Sequence, residues 1–148
     1  AIYSKPCNLF VAGFLGSPPM NFIKGSLSSK EGAIQFKEMQ GGVIDLNLGN
    51  RKAAAPYVGK EIVLGLRPED CDLVPPGKAP SKNSIQAVVD IVEPMGAETY
   101  FYLQTGAHTI ISRSHASVDH REAGHRMQFE INAEKVHLFD PETNLRIG

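Results

Sequence analysis

The chain has 148 residues, 42% of them hydrophobic and 21% charged, the proportions of an ordinary folded globular protein. Fifteen basic residues stand against sixteen acidic ones, a net charge of −1, which argues against a nucleic-acid binder because phosphate contacts call for a basic excess. Two cysteines, Cys7 and Cys71, make no disulfide framework and fit a reducing compartment.

The first predicted element is a short helix. Pro6 can start it, Asn8 can cap it, and Phe10, Val11, Phe14 and Leu15 then share one face. Gly16 suits a left-handed end, and Pro18 and Pro19 forbid continuation. At about nine residues it is too short to be stable alone, so its apolar face needs a partner. It is also far too short to cross a bilayer, and no cationic segment precedes it.

From residue 22 the period changes to alternation. Residues 22–27 set Ile23, Gly25 and Leu27 against Phe22, Lys24 and Ser26; residues 33–39 put Ile34, Phe36 and Glu38 on one side; residues 43–48 put Ile44, Leu46 and Leu48 on one face. Residues 61–66 read as a strand ended by Arg67-Pro68-Glu69-Asp70. The polar, proline-rich stretch 75–83 reads as a link between two regions of one barrel. A long strand, 84–96, is expected to bend at Glu93-Pro94. Residues 97–103 and 108–114 read as a hairpin across Gln104-Thr105-Gly106, and 126–131, 136–140 and 145–147 as the closing strands. About eight or nine short strands and one helix predict a mainly β domain, a small barrel or sandwich.

Catalytic patterns are scarce. The Gly59-Lys60 and Gly77-Lys78 pairs have Ala54 and Asp72 where a phosphate loop needs glycine, and no Ser or Thr follows either lysine. His115, His120 and His125 recur every five residues, a spacing that converges on neither a strand nor a helix, and they read as surface histidines rather than zinc ligands. His108 and His137 fall within strands and are expected to be partly buried or edge residues. Ser114 and His115 are merely sequential, and no nucleophile elbow surrounds any serine. Tyr100, Phe101 and Tyr102 alternate faces, which suits packing better than a base-stacking platform. Arg67-Pro68-Glu69 is the most pointed polar cluster: an anion site, or a corner in which Arg67 ties down a neighbouring loop.

Four stretches resemble one family. Residues 8–22, "NLFVAGFLGSPPMNF", are similar to the junction that follows the nucleotide-binding domain in ATP-binding subunits of bacterial carbohydrate importers of the maltose and glycerol-3-phosphate type. "LGLRPED" (64–70), "IVEPMGAETYFYL" (91–103) and "VHLFDPETNLRI" (136–147) resemble later motifs of the same subunits, in the same order. Asn144 replaces a frequent glycine there, and Cys7 a frequent alanine. The resemblance implies an OB-fold-like barrel of the TOBE kind preceded by a short N-terminal helix. It implies that residues 1–16 end a nucleotide-binding domain and that 17–148 form a regulatory domain. It marks Phe10, Phe14, Gly16, Ser17, Pro18, Met20, Asn21, Arg67, Pro68, Glu69, Gly96, Glu98, His137 and Phe139 as structural or interface residues. No catalytic, cofactor or metal residue is expected in this segment; ATP and magnesium would belong to the parent transport ATPase. Implied partners are the chain's own ATPase domain, a second copy of the subunit, the permease subunits and a cytosolic regulatory protein. The implied location is cytoplasmic, on the inner face of the membrane without insertion. Two other readings remain open: a small-molecule or oxyanion sensor near Arg67, and an oligonucleotide-binding module, which the charge balance disfavours.

Overall fold

In the computed structural model, residues 19–75, 77–79, 83–115 and 123–147 are described. They carry ten strands: β1 (Asn21–Lys30), β2 (Ala33–Glu38), β3 (Asp45–Gly49), β4 (Glu61–Leu66), β5 (Cys71–Leu73), β6 (Ser84–Met95), β7 (Glu98–Gln104), β8 (Thr109–Ser114), β9 (Arg126–Ile131) and β10 (His137–Phe139). The alternation read from the sequence holds. Ile23 and Leu27, Ile34 and Phe36, and Ile44, Leu46 and Leu48 are all buried. No helix among the described residues is long and apolar enough to cross a membrane. The predicted N-terminal helix lies outside the described residues.

The strands form two five-stranded antiparallel sheets, ordered β10-β4-β1-β2-β3 and β5-β9-β6-β7-β8. One hydrophobic core joins them, with Ile23, Phe36 and Leu64 from the first sheet and Phe101, Leu103 and Phe129 from the second. The Phe101 and Phe129 rings meet edge to face at 5.5 Å. The second sheet nearly closes on itself. Its two edge strands meet through hydroxyls: Ser112 Oγ donates to the Cys71 carbonyl, and Ser114 Oγ accepts from the Leu73 N–H at 2.9 Å. The expected OB-like barrel is therefore present, with two serines standing where a ladder would complete it.

Four readings of the sequence need correction. The chain changes sheets at the 3-10 turns Pro68–Asp70 and Ala133–Lys135, held together by the Asn132 N–H donating to the Asp70 carbonyl at 2.9 Å. The stretch around 75–83 joins β5 to β6 within the second sheet, so it does not separate two regions of the barrel. The irregularity in β6 falls between Val89 and Ile91, while Glu93 and Pro94 stay in register with Tyr100 and Thr99. Proline is tolerated there because β9 pairs with β6 only as far as Val88, leaving that side of β6 an edge. Finally, β5 went unpredicted; three residues directly after a turn are too short for a period to register. Of residues 145–147, Arg146 forms a bridge to Phe139 and no strand follows.

Asparagine side chains fasten the seam between the sheets. Asn21 of β1 donates to the Ile111 carbonyl at 2.9 Å and accepts from the Ile111 N–H at 2.8 Å. Asn83 repeats the device toward the first sheet: its Oδ1 accepts from the Asn47 N–H at 2.9 Å and its Nδ2 donates to the Asn47 carbonyl at 3.3 Å. Each amide imitates one residue of a paired strand, because it carries a donor and an acceptor in one plane.

Candidate functional site

Phe10, Phe14, Gly16, Ser17 and Pro18, like His120, lie outside the described residues. The remaining marked residues fall into two neighbourhoods and a turn. Gly96 sits in the tight β6–β7 turn with φ of 75°, a conformation that favours glycine. Met20, Val63 and Phe139 form a small second cluster on the outer face of the first sheet, with Phe22 beside them. Gly65 makes that cluster fit: a Cβ there would lie 2.5 Å from Met20 Sδ and 2.8 Å from Phe139 Cε2.

Glu69 and Glu98, from two separate motifs, are brought together by Arg113. Its Nε lies 2.9 Å from Glu98 Oε2, and its Nη2 lies 3.9 Å from Glu69 Oε1. Sequence reading missed Arg113 because nothing around it on β8 marks it. Pro68, buried, precedes Glu69 in the same turn.

Arg67 ends the same edge differently. Its Nη2 is buried with no hydrogen-bond partner. The arginine that ties down a loop is Arg51, which donates to the Val136 carbonyl at 3.0 Å and the Ala133 carbonyl at 2.8 Å. His137, paired opposite Gly65, is half-buried as expected. Burial, then the charges of Arg67, Arg146 and Arg51, push its imidazole down to about 4, so the ring is neutral at pH 7.

A third group was not marked at all. Glu38 is buried at the end of β2, and its carboxylate has three partners. Oε1 accepts from the Ile44 N–H at 3.2 Å, while Oε2 lies 2.6 Å from both Thr105 Oγ1 and His108 Nδ1. The other ring nitrogen of His108 accepts from the Lys24 N–H at 3.0 Å. That contact fixes the tautomer: Nε2 is bare, so Nδ1 carries the proton toward Glu38. The available signal was a carboxylate in phase with Ile34 and Phe36. Because both ring nitrogens are engaged, this carboxylate–histidine pair is structural.

The outward face of the second sheet carries a short apolar row among polar side chains. Ile91 of β6 is 53% exposed, stands opposite Tyr102 of β7, and Tyr102 stands opposite Ile111 of β8. Met95, 51% exposed, extends this surface along β6. Phe101 points into the core while Tyr100 and Tyr102 face outward, as the alternation implied. His115 and His125 are exposed. A cleft of about 730 Å³ opens where the sheets meet beyond Asn47 and Asn83, and Glu69, Asp70, Asp72, Glu130 and Glu134 make it acidic. Burial, and then the neighbouring Glu69, raise the Asp70 carboxyl above its ordinary range.

Comparison with known proteins gives two matching domain models, a MalK OB fold domain over residues 16–71 and a TOBE domain over residues 45–139. The chain is 34% identical to the trehalose/maltose import ATP-binding protein MalK of Thermococcus litoralis, over 99% of this chain and 39% of that protein. It is 34% identical to the oligosaccharides import ATP-binding protein MsmX of Bacillus subtilis, with the same coverage. The sn-glycerol-3-phosphate import ATP-binding protein UgpC of Ralstonia nicotianae is also 34% identical, again over 99% of this chain and 39% of the relative. The chain thus spans about two fifths of the length of these curated relatives. Among solved structures, the cytoplasmic molybdate-binding protein ModG shares the fold, with a TM-score of 0.58 at 19% identity over 82% of this chain and 96% of that one.

Proposed function

The chain belongs to the TOBE domain family, and from that membership we propose that it serves as the C-terminal regulatory and dimerisation domain of an importer's ATP-binding subunit. The cargo is a sugar, or a sugar or polyol phosphate. The observation that carries this reading is the match along 99% of the chain to import ATP-binding proteins. On this reading ATP and magnesium bind elsewhere in the parent subunit. The partners are that ATPase domain, a second copy of the subunit, the permease subunits and a cytosolic regulatory protein, at the inner face of the membrane.

The row Ile91, Tyr102 and Ile111 supports the dimerisation part. Three apolar or aromatic side chains in register across neighbouring strands make a flat surface, and a two-fold interface sets such a patch against itself. Near-zero net charge offers little repulsion between copies. A weak dimer burying about 1,000–1,600 Å² in total is expected.

The chain is tested by grafting it onto the Bacillus subtilis oligosaccharide-import ATP-binding protein in place of the matching segment. Import that depends on the graft supports the reading, and an inert but folded and assembled chimera refutes it. Light scattering on the chain itself, with Ile91→Lys beside it, tests self-association. A mass above one chain that falls on substitution supports the interface, and a strict monomer at hundreds of micromolar removes it.

A further inference from the structure

We propose that the outer face of β4 and β10, where Arg67, His137 and Arg146 meet, binds a dianion of the phosphate type. The placement follows from strand parity. Gly65 stands directly opposite His137, and Phe139 stands opposite Arg146. Directly opposed residues share a face, and so do residues two apart on one strand. Arg67 follows Gly65 by two positions and His137 precedes Phe139 by two, so all three polar side chains project from one side of the sheet. That is the side on which Met20 and Phe139 pack over Gly65.

Arg67 carries a buried, unpartnered Nη2, and among the described residues neither Arg67 nor Arg146 enters an ion pair. Of the acids that follow Arg67, Glu69 reaches Arg113, and Asp70 feels the Arg67 charge without forming an ion pair with it. The proton-repelling effect of three arginines on His137 reports the same excess of positive charge. A buried guanidinium nitrogen without an acceptor is costly, and a charged acceptor is the group that relieves it most. A tetrahedral dianion suits this face better than a carboxylate, since two separate guanidiniums and an imidazole project from it. Met20, unbranched and adaptable, lies over the neighbouring Gly65 and is the side chain best able to yield to an incoming group. This site stands whether or not the importer reading holds.

The test uses the chain itself, titrated with inorganic phosphate against chloride at constant ionic strength. Calorimetry reads binding, and proton NMR follows the His137 ring. Saturable phosphate binding is expected, together with an upward move of the His137 titration midpoint, because the anion offsets the arginines. Arg146→Gln, at an exposed position, and Arg67→Gln should each weaken binding about tenfold or more, and Arg126→Gln on β9 should leave it unchanged. Acetate should bind much more weakly. No phosphate-specific heat and no His137 response would overturn the proposal. Equal binding by Arg146→Gln would also overturn it, and acetate binding as tight as phosphate would overturn the dianion assignment.

Discussion

His108 Nδ1 lies 2.6 Å from Glu38 Oε2, so a buried carboxylate on β2 meets an imidazole carried just before β8, seventy residues away in sequence. The same His108 ring accepts the Lys24 N–H, which ties β1 into the arrangement. Three stretches of chain from both sheets therefore converge on one carboxylate, and its removal has a definite expected cost. Glu38→Ala strands the Ile44 N–H and the His108 Nδ1–H, leaves the Thr105 hydroxyl only the His108 carbonyl at 3.0 Å, and should destabilise by about 3–5 kcal/mol in urea unfolding. Glu38→Gln should not rescue it. In either orientation its amide nitrogen meets a donor, the Ile44 N–H on one side or the His108 Nδ1–H on the other, and His108 cannot accept on both nitrogens while Lys24 still donates. A Glu38→Gln protein as stable as the original would show that the tautomer is wrong.

The asparagine clasps make a second prediction. Asn21→Asp keeps the acceptor for the Ile111 N–H but loses the donor to its carbonyl, while Asn21→Ala loses both. The alanine variant should cost about 1–3 kcal/mol and the aspartate variant more, because a buried carboxylate oxygen would face the Ile111 carbonyl. Chemical denaturation orders the two. Hydrogen exchange at the Ile111 amide, faster in Asn21→Ala than in the parent, localises the effect.

Glycine packing supplies a sharper contrast. A Cβ on Gly25 would lie 2.3 Å from the Lys37 carbonyl oxygen, a backbone atom that cannot swing aside. On Gly65 the obstacles are the end of Met20 and the Phe139 ring. Gly25→Ala should therefore cost about 3 kcal/mol or more, and Gly65→Ala about 1–3 kcal/mol, because Met20 can adjust. Thermal unfolding of the two variants should show the larger loss at Gly25.

His137 predicts a pH dependence. In the unfolded chain it titrates near its ordinary 6.5, whereas in the fold it is held down to about 4. Between these values the unfolded state binds a proton that the folded state refuses. The contribution is thus intact above pH 6.5 and is lost as the pH falls toward 4. The loss is at most about 3 kcal/mol, reduced by the ring's partial exposure to solvent. The difference in unfolding free energy between the parent and His137→Gln, followed from pH 7.5 to 4, should narrow over that window. A constant difference would remove the assignment.

Cys71 provides a reactivity test. Its thiol is fully buried, and burial pushes it up to about 12. In a Cys7→Ser background the native protein should resist thiol reagents at pH 8 and react only on unfolding. Rapid native-state labelling would contradict the burial.

The sequence by itself determined the strands and their inward faces, because a period of two is a local property that each strand displays alone. Ile34, Phe36 and Ile44 needed no neighbour to be read as core. It also located turn chemistry such as Asn144, whose φ of 62° is the left-handed conformation that asparagine tolerates. Motif order was enough for the family resemblance. Pairing was decided elsewhere. That β10 returns to lie beside β4, that Ser112 and Ser114 close the second sheet, and that Arg113 joins Glu69 to Glu98 depend on distant segments meeting. A polar residue's role is set by what faces it. Glu38 looks like a misplaced charge until Thr105 and His108 arrive, and Arg67 looks like a loop tether until Arg51 is found in that role. Alternation says which way a side chain points, and only the tertiary fold says what it meets there.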